Sequence, residues 1–287
     1  MRNKFDGNIV ISELVQHGMR ELAPSPSARL DSELLLAHAL NCNRAAIYRD
    51  ANCRTSAEVR QAFVELLGAR ERGQPIAQIL GSQEFWSLPF IVDEHVLIPR
   101  PDTEILVESA LNLIRPCTNP VIADLGTGSG AIAVVIGLER RDAHVVAIDK
   151  SVAALRVAQK NSRIHGATNT HLLRSSWLTA LQDSEFDLIA SNPPYVADDD
   201  PLLSASDIRF EPPQALRAGK DGLEALRNIV SSASRVLKLA GVLLVEHGYN
   251  QGEQVRGLFR AHRFTSITTL RDLAGHERVT HGKTGKL

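Results

Sequence analysis

Val121-Ile122-Ala123-Asp124-Leu125-Gly126-Thr127-Gly128-Ser129-Gly130-Ala131 is the stretch from which the fold can be read. A short apolar run with strand composition enters three alternating glycines, and an apolar helical pattern from Gly130 to Leu138 follows at once. Glycines at such a turn allow positive φ and let a ligand approach the backbone. The helix start offers unpaired N–H groups to a carboxylate or phosphate. His144 to Ile148 reads as a second strand ending in Asp149, an acid placed to accept hydrogen bonds from ribose hydroxyls. The loop also satisfies G-x-G-x-x-A through Ala131, so a nicotinamide dinucleotide fold competes on this stretch. Asp124, ahead of the glycines, either orders the loop or meets an ammonium group such as the one at the amino-acid end of S-adenosylmethionine.

Working outward, the chain keeps alternating. Helix is predicted over Val152 to Ile164, Leu223 to Leu237 and Gln251 to His262. Strands are predicted at His171 to Leu173, Phe186 to Ala190 and Val242 to Glu246, and Ser266 to Leu270 with Arg278 to His281 reads as an antiparallel pair. Such alternation argues for an α/β fold with a doubly wound, mostly parallel sheet. Upstream, residues 1–74 read as a helical bundle, with apolar residues at helical spacing such as Ile11, Leu14, Val15 and Met19, and a capping-box spacing from Thr55 to Glu58. Residues 75–99, rich in aromatic and branched side chains, read as a β-hairpin linker to a domain over 100–287. Pro99-Arg100-Pro101-Asp102-Thr103-Glu104 opens a further helix with acids in its first turn, where the macrodipole favours them. Arg100 is either a surface residue or a partner for an anionic group.

The 287 residues carry a net charge of -1, which gives no basic footprint for extended nucleic-acid binding. Cys42, Cys53 and Cys117 are scattered without C-x-x-C spacing, the histidines are dispersed, and no metal site is expected. No apolar run is long enough to span a bilayer, so a soluble cytoplasmic protein is the expectation.

A second motif, Asn192-Pro193-Pro194-Tyr195, follows the strand at Phe186 to Ala190. Two consecutive prolines fix two φ angles and remove two donors, leaving a stiff corner. There the Asn192 side-chain oxygen and the Pro193 carbonyl can accept both hydrogens of a planar NH2 group, with Tyr195 as an apolar wall. The bland alternative is an Asn-Pro turn that merely ends a strand.

The chain resembles the release factor glutamine methyltransferases, the N5-glutamine branch of the class I S-adenosylmethionine-dependent methyltransferases. The likeness lies in ARLDSELLLAHAL, QPIAQILGSQEFWSLPF, IPRPDTE, DLGTGSGAIA, SNPPY, FEPPQAL with KDGLE, and DLAGHERVTHG, which together cover nearly the whole chain. It implies an N-terminal helical domain, a hairpin linker and a Rossmann-like, seven-stranded methyltransferase domain. It implies S-adenosylmethionine as cofactor, held by Gly126, Thr127, Gly128, Ser129, Gly130 and Asp149 with Trp177 along the adenine, and S-adenosylhomocysteine as product. Asn192, Pro193, Pro194 and Tyr195 are expected to hold the substrate glutamine, with Asn192, Pro193 and Tyr195 carrying the catalysis and Asp124 and Asn192 also bordering the cofactor. The implied substrate is the glutamine of the Gly-Gly-Gln motif in peptide-chain release factors. The expected partner set is a release factor, no nucleic acid and no membrane, for a chain read as a monomer. One departure is Ser176, where relatives commonly carry an acid beside the tryptophan. Glu246 and His247 are read as structural, and Trp177 has a plain core reading beside the adenine one. Three alternatives stay open: an amino methyltransferase acting on adenine in nucleic acid, a nicotinamide-dependent oxidoreductase, and an adaptor working through its helical domain.

Overall fold

The computed structural model describes residues 9–23, 25–204 and 207–285. The chain divides into two compact units, one of Met1–Gly81 with Ser206–Phe210 and the other of Ser82–Ala205 with Glu211–Leu287.

The first unit contains α1 (Ile11–Glu21), α2 (Ala28–Ala39), α3 (Arg44–Arg49), α4 (Ala57–Glu71) and α5 (Ile76–Leu80). Leu14, Leu35, Leu36, Phe63 and Leu67 form its apolar core. Glu33 is only 1% exposed, yet it accepts hydrogen bonds from Arg29, Arg44 and Tyr48 at 2.9, 2.7 and 2.6 Å. A buried carboxylate requires such partners. The capping box expected from Thr55 is corrected: Ser56 caps α4 by accepting from the Val59 N–H, because the Thr55 hydroxyl donates to the Ile9 carbonyl.

The expected 75–99 hairpin is shorter than its composition suggested. Pro75 starts helix α5, and only β1 (Ser82–Phe85) and β2 (Leu88–Ile91) pair, antiparallel. Phe85 and Phe90 sink into the core of the second unit, and the buried Asn161 fastens Ile91 to it, accepting from Ile91 N at 2.8 Å and donating to its carbonyl at 3.0 Å. The hairpin is therefore built into this unit.

The second unit continues through α6 (Thr103–Ile114), β3 (Val121–Leu125), α7 (Ala131–Glu139), β4 (His144–Asp149), α8 (Val152–His165), β5 (Thr170–Arg174) and β6 (Phe186–Ser191). It closes with α9 (Glu224–Val236), β7 (Leu237–Glu246), α10 (Gly252–Ala261), β8 (Phe264–Arg271) and β9 (Glu277–Thr284). Its seven-stranded sheet has the order β5-β4-β3-β6-β7-β9-β8, parallel except at β9, which runs against both of its neighbours. Because side chains alternate along a strand, β3, β6 and β7 feed two apolar layers. Ile122, Leu188 and Leu244 meet α6 and α7 on one face; Ala123, Ile189 and Leu243 meet α9 and α10 on the other. Helix α7 is buried from Ala131 to Gly137, which explains why its composition is apolar all round instead of amphipathic. The strand order reverses between β3 and β6, and in open α/β sheets the crevice beyond the strand ends at that point takes ligands.

Candidate active site

The glycine turn leaves β3 with positive φ at Gly126, Gly128 and Gly130. A Cβ on Gly130 would lie 3.1 Å from the Cα and Cβ of Ala158, so glycine is what lets the start of α7 press against α8. Asp124 is fully buried beneath this turn, and its Oδ2 accepts from the Thr127 hydroxyl at 2.6 Å and from Ala133 N at 3.2 Å. Its Oδ1 has no partner, and burial pushes the carboxyl up to about 7. Through Oδ2, Asp124 orders the loop. Asp149 braces the same turn from β4, accepting from Gly128 N at 3.1 Å and from Ser151 N at 2.8 Å.

The second loop leaves β6, where the Ser191 hydroxyl donates to the Leu125 carbonyl at 2.8 Å and ties the two strand ends together. Val196 N donates to Leu216 O and Ala218 N to Val196 O, both at 2.9 Å, which pins the far side of the proline corner. Gln251 Nε2 donates to the Tyr195 carbonyl at 3.0 Å. Gly222 packs so close below that a Cβ there would lie 2.4 Å from the same carbonyl.

Asn192 reaches back to α6: its Nδ2 donates to the Thr103 hydroxyl at 3.0 Å, and that hydroxyl donates to Glu246 Oε2 at 2.8 Å. Glu246 Oε1 accepts more weakly from the Tyr195 hydroxyl at 3.4 Å. Glu246 is 1% exposed, and its carboxyl is raised to about 7 chiefly by burial. Burial also raises the Tyr195 phenol, which stays a neutral donor. Asn192 Oδ1 is shut off from solvent and has no hydrogen-bond partner.

One cavity brings the two loops together. Gly126, Thr127, Gly128, Ser129, Asp149, Trp177, Asn192 and Pro194 all line it. Trp177 adopts φ +48 and lays its ring over Gly126, 3.5 Å from where a Cβ would stand. Ser176, the departure from the family pattern noted above, lines the cavity beside Trp177. Asp124, Gly130 and Pro193 do not line it. The Tyr195 ring, expected as a wall of the pocket, packs instead against the apolar layer under α9. Arg100 lies on the cavity wall paired with Glu211, which also accepts from Ile98 N at 2.9 Å. The wall further includes His95, Val96 and Leu97, from the stretch expected to be linker.

Sequence reading missed Thr103, Gln251 and the contact made by Glu246. Thr103 sat inside a segment already singled out, but only the long-range pairing shows what its hydroxyl does. Among the described residues no helix is long and apolar enough to cross a membrane. Asp93, Glu94 and His95 stand close together, exposed or half-buried.

A sheet reversed only at β9, a glycine turn after β3 and an acid closing β4 define a class I S-adenosylmethionine-dependent methyltransferase. Residues 13–81 match the family model described as PrmC N-terminal domain, and residues 101–267 match the Methyltransferase small domain. A release factor glutamine methyltransferase from Pseudomonas aeruginosa is 46% identical over 92% of this chain and 95% of its own length. The Escherichia coli protein of that name is 42% identical, covering 93% of this chain and 98% of its own. A methyltransferase structure from Pyrococcus furiosus has the same fold at 15% identity, with TM-score 0.51 over 70% of this chain and 91% of that one. The chain belongs to the release factor glutamine methyltransferase family. The oxidoreductase and adaptor alternatives fall with that membership.

Proposed function

We propose that the chain transfers a methyl group from S-adenosylmethionine to the side-chain amide nitrogen, N5, of the glutamine in the Gly-Gly-Gln motif of peptide-chain release factors, and so modulates translation termination. The observation that carries this reading is the unpartnered Asn192 Oδ1. An acceptor buried without a partner is costly, and a substrate NH2 group would satisfy it. The names of the relatives point to glutamine as the source of that NH2 group, and the net charge of -1 speaks against a duplex partner.

Bound S-adenosylmethionine supplies an electrophilic methyl group on sulfur. The cavity-lining Gly126 to Ser129 and the Asp149 carboxylate are assigned to hold it, with Trp177 against its adenine, while Gly130 shapes the turn from outside the cavity lining. An amide nitrogen is a poor nucleophile because its lone pair is delocalised, so much of the acceleration must come from positioning. Asn192 Oδ1 accepts an N–H group, turns the nitrogen toward the methyl group and favours the positive charge that develops there; the Pro193 carbonyl, the second acceptor expected from the motif, does not line the cavity. Pro194 and Tyr195 keep that corner rigid. The methylated nitrogen is acidic enough to lose its proton without a dedicated base. We place the enzyme in the cytoplasm as a monomer, with the release factor as its protein partner.

Incubation with labelled S-adenosylmethionine and purified release factor, followed by peptide mapping, should locate the methyl group on the Gly-Gly-Gln glutamine. Label in duplex DNA but not in the release factor would overturn the assignment in favour of an adenine amino methyltransferase.

A further inference from the structure

A primary amide presents an oxygen or an NH2 group to a ligand depending on a half-turn about one bond, and the two faces are nearly equal in shape. The proposed chemistry works with only one of them. With the oxygen turned to the substrate, donor meets acceptor; after the half-turn, two NH2 groups confront each other. Nothing within Asn192 chooses between the orientations, so the choice has to be made by its surroundings.

The surroundings consist of a polarised chain. Thr103 sits in the first turn of α6, 4% exposed, with its hydroxyl between Asn192 Nδ2 at 3.0 Å and Glu246 Oε2 at 2.8 Å. A hydroxyl has one hydrogen to give. An ionised carboxylate can only accept, so it claims that hydrogen and leaves the Thr103 oxygen nothing but lone pairs to show Asn192. Only the NH2 end of the amide suits a lone pair. We propose that Glu246, acting through Thr103, is a positioning residue that locks Asn192 with its oxygen toward the substrate. This goes beyond the structural role given to Glu246 by its sequence context, and it rests on the glutamine reading above.

The lock depends on charge. A protonated Glu246 donates to Thr103, which frees the Thr103 hydrogen to turn toward residue 192 and makes both amide orientations acceptable. The groups facing Glu246 are Thr103 from α6 and Asp102 just ahead of it, Tyr195 from the proline loop and Arg278 from β9. Burial and Asp102 raise its carboxyl, while Thr103, Arg278 and the Tyr195 hydroxyl oppose them, leaving it at about 7. Loss of the lock is therefore expected as pH falls through neutrality.

The test uses three variants of the full chain. Thr103→Val keeps the shape and removes the hydroxyl; turnover on release factor should fall by about tenfold or more, with unchanged S-adenosylmethionine affinity by calorimetry. Thr103→Ser restores the hydroxyl and should restore turnover. Glu246→Gln replaces the acceptor-only carboxylate with an amide that can also donate to Thr103, so it should hold turnover near the wild type's low-pH level at every pH and remove the decline below about pH 7. Full wild-type turnover at neutral pH in this variant overturns the positioning role. Side-chain amide NMR provides a readout that needs no substrate. The Asn192 NH2 signals, identified by their loss in Asn192→Ala, should be protected from exchange in the wild type and unprotected in Thr103→Val. Circular dichroism identifies a variant that fails to fold, and Thr103→Ser then decides. If the wild type leaves release factor unmethylated while the amide signals behave as stated, the substrate reading falls and the positioning role stands. Wild-type turnover by Thr103→Val, equally slow turnover by a folded Thr103→Ser, or an unprotected wild-type amide overturns the positioning role.

Discussion

The turns that leave β3 and β6 border one cavity and are built on opposite plans. Between β3 and α7 the chain depends on freedom: three glycines at positive φ, with the N–H groups of Thr127, Gly128 and Gly130 bonded to Ile148 O, Asp149 and Thr127 O, and the Asp124 and Asp149 carboxyls as braces. After β6 it depends on constraint: two prolines with fixed φ, one carboxamide, and a hydroxyl and a carboxyl behind it to set its polarity. A turn whose bends glycine permits and whose N–H groups are bonded close by holds its shape by itself. A turn that presents one side-chain acceptor needs distant residues to keep it facing correctly.

If that contrast holds, damage to the two turns should separate cleanly. Asn192→Ala should lower turnover by about 10²–10³-fold with little change in S-adenosylmethionine affinity, as expected for a lost transition-state contact. Equal losses in turnover assays and in calorimetry would break the division between the loops.

Asp124→Asn sharpens the contrast through stability. The folded-state pKa of about 7 lies above the value near 3.9 expected for an unfolded Asp, so the folded chain holds this proton more tightly over that window. The associated stability is fully present below pH ~4 and is lost as pH rises through ~7, in total on the order of 4 kcal/mol. The asparagine variant should lack this contribution, so its urea-unfolding free energy should vary less between about pH 5 and pH 7 than that of the wild type. An identical slope in both proteins would show that Asp124 is not titrating in the fold.

Gly130→Ala should cost about 2 kcal/mol, through the positive φ and the crowding against Ala158. A thermal melt equal to that of the wild type would mean that α7 and α8 have room to part. Asp149→Ala should weaken S-adenosylmethionine binding by roughly tenfold, with a smaller change in turnover at saturation. Unchanged affinity would remove Asp149 from the cofactor side of the comparison.

The alternation that predicts the sheet was legible because parallel strands buried on both faces, and the helices between them, leave periodic apolar runs in the sequence. Both loops were legible too, since glycine and proline restrict the backbone locally. What lay hidden depends on partners far apart in the chain. Nothing near Thr103 announces Asn192, and Glu246 looks like the polar end of a strand until β9 brings Arg278 beside it. The hairpin was overextended for a similar reason: the branched residues from Val92 to Ile98 owe their composition to burial and to the cavity wall, not to strand pairing. The expected strand Val242 to Glu246 in fact begins at Leu237, which pairs with Phe186 ahead of a register shift that the sequence does not announce.

Among the described residues strand β8 pairs only with β9, and β9 follows it in the chain. During vectorial synthesis, β8 must therefore wait outside the sheet, its hydrogen-bonding groups turned to water, until the next hairpin arm emerges and slides in between. Arg278 travels on that arm, so the charge that steadies Glu246 arrives last, and a nascent chain cannot acquire the finished electrostatic setting of Glu246 ahead of the sheet's final insertion.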